Sequence, residues 1–219
     1  GIDKLVATVN VAEKGTTTLQ IVGKGAGGHS SMPPSQTAVG ILAAAITKLE
    51  KEPMPGGLDG LSLALFDTTS REMPFTLKLL FANRWLFSGL IEATLAKDPA
   101  TNAMLRTTTA PTMLSASVKT NVLPIEAIAT VNFRVHPRDS VASIFDHVRE
   151  VVENDNVEVR PMAWDGFGLG KPASQVSSWE SAGYKNIEQS VKNIYGDVIV
   201  APGLMVAASD SRHYGRVAD

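Results

Sequence analysis

Apolar and β-branched positions divide the chain into strand-like runs and amphipathic helical runs. Leu5–Val11 (LVATVNV) alternates in places, and Thr16–Val22 (TTTLQIV) is rich in β-branched residues before a Gly-rich break at 23–28. Two strands joined at Glu13-Lys14-Gly15 are expected. Ser35 follows Pro33-Pro34 and suits an N-cap, and Val39, Leu42, Ile46 and Leu49 then recur at helical spacing until Pro53. That pattern predicts an amphipathic helix. Residues 53–106 are irregular, with apolar helical patches at Leu77–Phe81, Trp85–Leu95 and Ala100–Leu105, as in an insertion built from short helices.

From Arg106 the pattern turns back to strands. RTTTAPTMLSASV is followed, after Lys119-Thr120-Asn121, by Ala127–Val135, in which Ala127, Ala129, Val131, Phe133 and Val135 share one face. Ser140 then caps a helix with Val141, Ile144, Val148 and Val151 or Val152 on one side. Asn154-Asp155-Asn156 breaks it before a strand at Val157–Pro161. The order from Thr16 to Pro161 is β-α-(insertion)-β-β-α-β, which predicts an α+β, ferredoxin-like sandwich of one sheet under two helices. After Trp164 a Gly- and Pro-rich stretch (DGFGLGKPAS) has the character of a crossing linker. A helix at about Ser177–Ile194 and a strand near Val198–Ala201 complete the pattern. One helix and one strand cannot bury a core of their own, so the last sixty residues or so are expected to belong to a second domain only partly present.

Composition narrows the function. The 219 residues are 44% hydrophobic and 19% charged, an ordinary globular balance that excludes disordered and fibrous classes. The longest apolar run, Ala38–Ile46, is about half the roughly 20 residues a membrane span needs. No signal peptide is legible at the first residues, and the compartment stays open between cytoplasm and periplasm or secretion. A net charge of −2 gives no footprint for phosphate backbones, so nucleic acid is not an expected partner. With no cysteine, any metal would need His and carboxylate ligands.

The four histidines, His29, His136, His147 and His213, form no two-histidine helix turn and no H-x-D strand motif, so no metal ligand is assigned. His147 and Glu150, three apart, are best explained as a solvated helix face. G-x-S-x-G is absent, and the 23–28 glycine loop lacks P-loop spacing; loop flexibility accounts for it.

A more specific signal is the string Gly27-Gly28-His29-Ser30-Ser31-Met32-Pro33-Pro34, set between a strand and an amphipathic helix. With Ile41–Ala45, Asn102, Arg106–Thr109, Asn121–Pro124, Thr130–Pro137 and Ser209–Tyr214 in order, the chain resembles the di-zinc exopeptidase family of carboxypeptidase S, aminoacylase and succinyl-diaminopimelate desuccinylase. The resemblance is to the carboxypeptidase S branch and covers nearly the whole chain. It implies a zinc hydrolase cleaving a C-terminal amide of a peptide or N-acyl amino acid, with a homodimer formed through the lid domain. It makes His29 and Asn121 catalytic residues that reach from one subunit into the partner's site and hold the scissile carbonyl. Taken alone, His29 is a loop histidine and Asn121 a turn former. Arg212, in Ser-Asp-Ser-Arg-His-Tyr, is implied to pair with the substrate carboxylate. Arg134, on the strand face opposite Phe133, is either a surface cation or, as the family implies, a substrate-binding residue.

The family's H-x-D motif, bridging Asp, Glu-Glu pair and final His are not found here. The two zinc ions are therefore expected in a longer enzyme and none in this chain, which alone should be inactive. The expected division is residues 1–14 as the end of a catalytic segment, 15–162 as the lid with its insertion at 53–106, and 163–219 as a further part of the α/β catalytic domain. The rival is a noncatalytic ferredoxin-like module for self-association or ligand binding.

Overall fold

The computed structural model describes residues 2–163 and 168–214. In chain order the elements are β1 (Leu5–Glu13), β2 (Gly15–Lys24), β3 (Gly28–His29), α1 (Ala38–Lys51), α2 (Gly60–Ser70), α3 (Phe75–Ala82), α4 (Arg84–Leu95), α5 (Pro99–Leu105), β4 (Thr108–Ser115), β5 (Val122–Leu123), β6 (Glu126–Val135), α6 (Val141–Val152), β7 (Val157–Pro161), α7 (Ala182–Tyr195), β8 (Val198–Met205) and α8 (Ser211–Tyr214). They form two compact units. One comprises residues 15–54 and 107–172; the other comprises 1–14, 55–106 and 173–219.

The unit of residues 15–54 and 107–172 is a four-stranded sheet in the order β4-β6-β2-β7, every pair antiparallel. With α1 and α6 this is the βαββαβ arrangement. In β6 the period-2 pattern is complete: Ala127, Ala129, Val131, Phe133 and Val135 are fully buried and the residues between them half-buried. They meet Leu19 and Ile21 of β2, Leu42, Ala45 and Leu49 of α1, and Ile144 and Val148 of α6 in one core. Burying a side chain such as Phe133 contributes about 1.5–3 kcal/mol. The edge strand β4 carries a register shift between Pro111 and Met113, where a residue without a backbone N–H leaves the ladder at least cost.

α6 has a full capping box: Ser140 Oγ accepts from Ser143 N and Ser143 Oγ accepts from Ser140 N, both at 3.0 Å. α1 differs from expectation at its start. Its cap is Thr37, whose Oγ1 accepts from Gly40 N at 3.2 Å, rather than Ser35. The inward stripe is accordingly turned, burying Ala38, Ile41, Leu42, Ala45 and Leu49 and leaving Val39 outside. The physical reason lies in β2. A Cβ on Gly23 would stand 2.6 Å from Ala38 O, and one on Gly25 would stand 2.6 Å from Ala38 N. The glycines are there for close approach of α1, which corrects the reading of this segment as merely flexible.

In the other unit β1 and β8 pair in parallel from Leu5↔Val198 to Glu13↔Met205. β1 and β2 therefore belong to different sheets, and Lys14 is a passage between them rather than a hairpin turn. The helix α2, which the sequence pattern did not announce, buries Leu61, Leu65 and Phe66. It also buries Ser62, Thr69 and Ser70, whose hydroxyls donate to Met104 O, Leu65 O and Asp67 O. Those polar residues broke the apolar periodicity while being satisfied inside. α3, α4 and α5 pack around Phe66, Phe81, Ile91 and Leu105. α7 is capped by Ser181, whose Oγ accepts from Tyr184 N, and so begins later than the expected Ser177. The first part of the expected linker after Trp164 lies outside the described residues. Among those described, no helix is long and apolar enough to cross a membrane.

Candidate active site

The His29 loop is built by two short strands that a sequence pattern does not show. β3 pairs with β5 in antiparallel fashion, Gly28↔Leu123 and His29↔Val122. Gly25 N donates to Ile125 O at 3.0 Å and Ser30 N to Asn121 O at 3.1 Å, closing the zipper on both sides. His29 and Asn121, 92 positions apart, are thereby brought side by side, with Asn121 Nδ2 3.4 Å from His29 Nε2. Both side chains are exposed.

The ring's other nitrogen decides the chemistry. Ser31 N donates to His29 Nδ1 at 3.2 Å, with Ser31 Oγ at 2.8 Å from the same atom. Nδ1 thus accepts from Ser31 N, which selects the tautomer with its proton on Nε2. Nε2–H and the Asn121 amide are then two adjacent donors, an arrangement that satisfies neither by the other but suits a single oxygen bearing negative charge.

Beside this loop, the ends of β2, β6 and β7 are tied by ions. Arg160 Nη2 donates to Glu126 Oε1 and its Nε to Glu158 Oε1, both at 2.8 Å, and Lys24 Nζ lies 2.7 Å from Glu158 Oε2. The hydrogen bonds from Arg160 first, then from Lys24, hold the Glu158 carboxyl down at about 2, and Arg160 lowers Glu126 as well.

Arg134 lies on β6 in register with Thr16 and Thr108, half-buried and with no ion pair among the described residues. Eight residues separate it from Glu126, about 26 Å along the strand, so one copy of the sheet does not bring it to His29. Arg212 lies in α8 of the other unit, and its side chain is outside the described residues. His147 Nε2 stands 2.9 Å from Glu52 O and His136 Nδ1 accepts from Arg138 N, so both serve local structure. Among the described residues no three His, Asp or Glu side chains cluster as a metal site, so the donors present do not fit a catalytic metal.

Glu13 escaped the sequence reading. It ends β1 almost fully buried, and its Oε1 accepts from Ser211 Oγ at 2.6 Å and from Ser209 Oγ. A carboxylate closing an apolar strand was the one available signal.

This antiparallel βαββαβ sheet, with β3 and β5 paired beside it, is the α+β sandwich expected of a lid domain. A family model described as a peptidase dimerisation domain matches residues 11–160, and the chain belongs to that family, the M20 dimerisation domain. It is 40% identical over 214 residues to a probable carboxypeptidase S-like 2 of Dictyostelium discoideum, covering 98% of this chain and 40% of that protein. It is 39% identical over 215 residues to the N-fatty-acyl-amino acid synthase/hydrolase PM20D1 of Xenopus tropicalis, covering 98% and 41%. The M20 family metallo-carboxypeptidase Sso-CP2 of Sulfolobus solfataricus superposes with a TM-score of 0.54 at 18% identity, over 95% of this chain and 56% of that one. The structural likeness concerns the fold alone. The chain spans about two-fifths of the length of these curated relatives.

Proposed function

We propose that this chain supplies the lid, and part of the catalytic domain, of a zinc-dependent hydrolase that cleaves the C-terminal amide of a peptide or N-acyl amino acid. The observation that carries the reading is the convergence of His29 Nε2 and Asn121 Nδ2 at 3.4 Å on an exposed loop. Two preorganised donors at one point stabilise the oxyanion that develops when a scissile carbonyl is attacked. A two-zinc site held by ligands other than the residues described here would supply the nucleophile, and this chain's part is to bind and orient the carbonyl oxygen. Arg212 holds the substrate's carboxylate and Arg134 lies near the bound substrate. The similarity to a probable carboxypeptidase S-like protein and to an N-fatty-acyl-amino acid synthase/hydrolase supports this substrate class.

The donors act across a homodimer formed through α1 and the edge strand β4, whose Met113 and Leu114 are 66% and 70% exposed. A noncatalytic association module leaves the Ser209–Tyr214 loop without a purpose.

The test is complementation in the full-length enzyme. His29→Ala lowers turnover about 10²–10³-fold at unchanged zinc content, the usual cost of one lost oxyanion donor. Mixed with a zinc-site mutant under subunit exchange, it regains one working site per dimer. No recovery, once a labelled-subunit control has shown exchange, rejects donation across the dimer.

A further inference from the structure

Glu13 is 4% exposed, and its backbone is held on both sides by one residue: Ser174 Oγ accepts from Glu13 N at 2.8 Å, and Ser174 N donates to Glu13 O at 2.9 Å. Its position is set further by the parallel pairing of Glu13 with Met205, the last residue of β8. The chain leaves β8 there and reaches α8 within six residues. Over that span both serine hydroxyls, Ser209 Oγ and Ser211 Oγ, donate to the same carboxylate oxygen of Glu13. Ser211 N in turn donates to Ser209 Oγ at 3.2 Å, and His213 N to Asp210 O at 3.0 Å, which turns the backbone into α8.

Burying a carboxylate is expensive, and a neutral acceptor would close such a turn at lower cost. What the charge adds is strength, since hydrogen bonds to an ionised acceptor are roughly twice as strong as neutral ones. The stronger bonds fix one loop geometry among several. The helix α8 begins one residue before Arg212, so a rigid anchor on Ser209 and Ser211 limits where the Arg212 backbone can be.

We propose that Glu13 is a positioning residue, anchoring the Ser209–Tyr214 loop through two serine hydroxyls so that Arg212 is held in place for a substrate carboxylate. The proposal rests on the carboxylate-binding role given to Arg212 above. Glu13 itself touches no substrate; it acts through the loop.

The test uses the full-length, metal-loaded enzyme and two substrates, an N-acyl amino acid and its uncharged carboxamide. Glu13→Gln keeps the side-chain shape but removes the charge. It raises KM for the carboxylate substrate about tenfold, leaves kcat within about twofold, and leaves the carboxamide unaffected. Arg212→Ala abolishes the preference for the carboxylate, and the double variant is no worse than Arg212→Ala alone. Equal losses on both substrates, or a double variant whose loss is the product of the singles, overturn the proposal. If Arg212→Ala keeps the preference, the role of Arg212 is wrong, and the anchoring is judged by hydrogen exchange in the 219-residue chain. Ser209→Ala with Ser211→Ala removes the same bonds from exposed positions and speeds exchange of the 207–213 amides about tenfold, with β1 and β8 unchanged. Unchanged exchange in that loop overturns the anchoring as well.

Discussion

Replacing Gly23 by alanine tests, by the sign of its effect, why this segment is rich in glycine. If the glycines serve flexibility, alanine restricts the unfolded chain and stabilises the protein by about 0.4–1 kcal/mol. The structure predicts the opposite. The added carbon would lie 2.6 Å from Ala38 O, 2.9 Å from Leu42 N and 3.1 Å from Leu42 Cβ, where ordinary contact is about 3.5–4.0 Å. Two of those atoms belong to the α1 backbone and cannot rotate aside, so the helix must lift from β2 over the core formed by Leu19, Ile21 and Leu42. Overpacking of this kind costs about 1–3 kcal/mol, and after the unfolded-state gain of about 0.4–1 kcal/mol the net loss is about 1 kcal/mol. In a chain of this length that lowers Tm by roughly 2–4 °C. Gly89→Ala is the control: Gly89 lies within α4 with open space around the new methyl group, and helix propensity there favours alanine by about 1 kcal/mol. Thermal and urea unfolding by circular dichroism of the two variants therefore move in opposite directions. A Gly23→Ala protein at least as stable as the parent refutes the close-approach argument.

Acid stability follows from the Arg160 cluster. Glu158 is held at about 2 and Glu126 is also lowered from the ordinary 4.5, so their contribution is present above about pH 4.5 and lost as pH falls toward 2. Arg160→Gln should flatten the fall of Tm over that window, and added salt should shrink the difference because the groups are exposed; superimposed curves count against it. Self-association should be visible by sedimentation at high micromolar concentration, and Val39→Lys with Leu114→Lys should return the protein to monomer; a parent chain that sediments only as monomer rejects the α1 and β4 interface. Calorimetric titration of the 219-residue chain with zinc should show no stoichiometric micromolar site, and finding one would contradict the lack of clustered ligands among the described residues.

Short-range order was legible without coordinates wherever local rules and burial agreed. The β6 alternation from Ala127 to Val135 marks one buried face because strand geometry has a period of two. The Ser140 cap and the Ile144–Val152 stripe define α6, since capping and helical periodicity act within one or two turns. Even the βαββαβ order follows from element types alone. The family resemblance marked His29 and Asn121 as site residues, yet no local pattern placed their side chains together. His29 meets Asn121, 92 positions away, only because β3 and β5 pair, and no local pattern specifies which two-residue strands will pair. The true face of α1 depended on two glycines in another element, and α2 was hidden by hydroxyls whose acceptors are supplied on folding. Glu13 looked like a turn residue until Ser209 and Ser211, almost two hundred positions later, came to its carboxylate. The amino-acid order by itself determined the elements, their order and the family strings, because those rest on contacts a few residues apart. Tertiary structure alone decided which polar groups face one another, because a buried hydrogen bond is chosen by proximity in space and not by spacing along the chain.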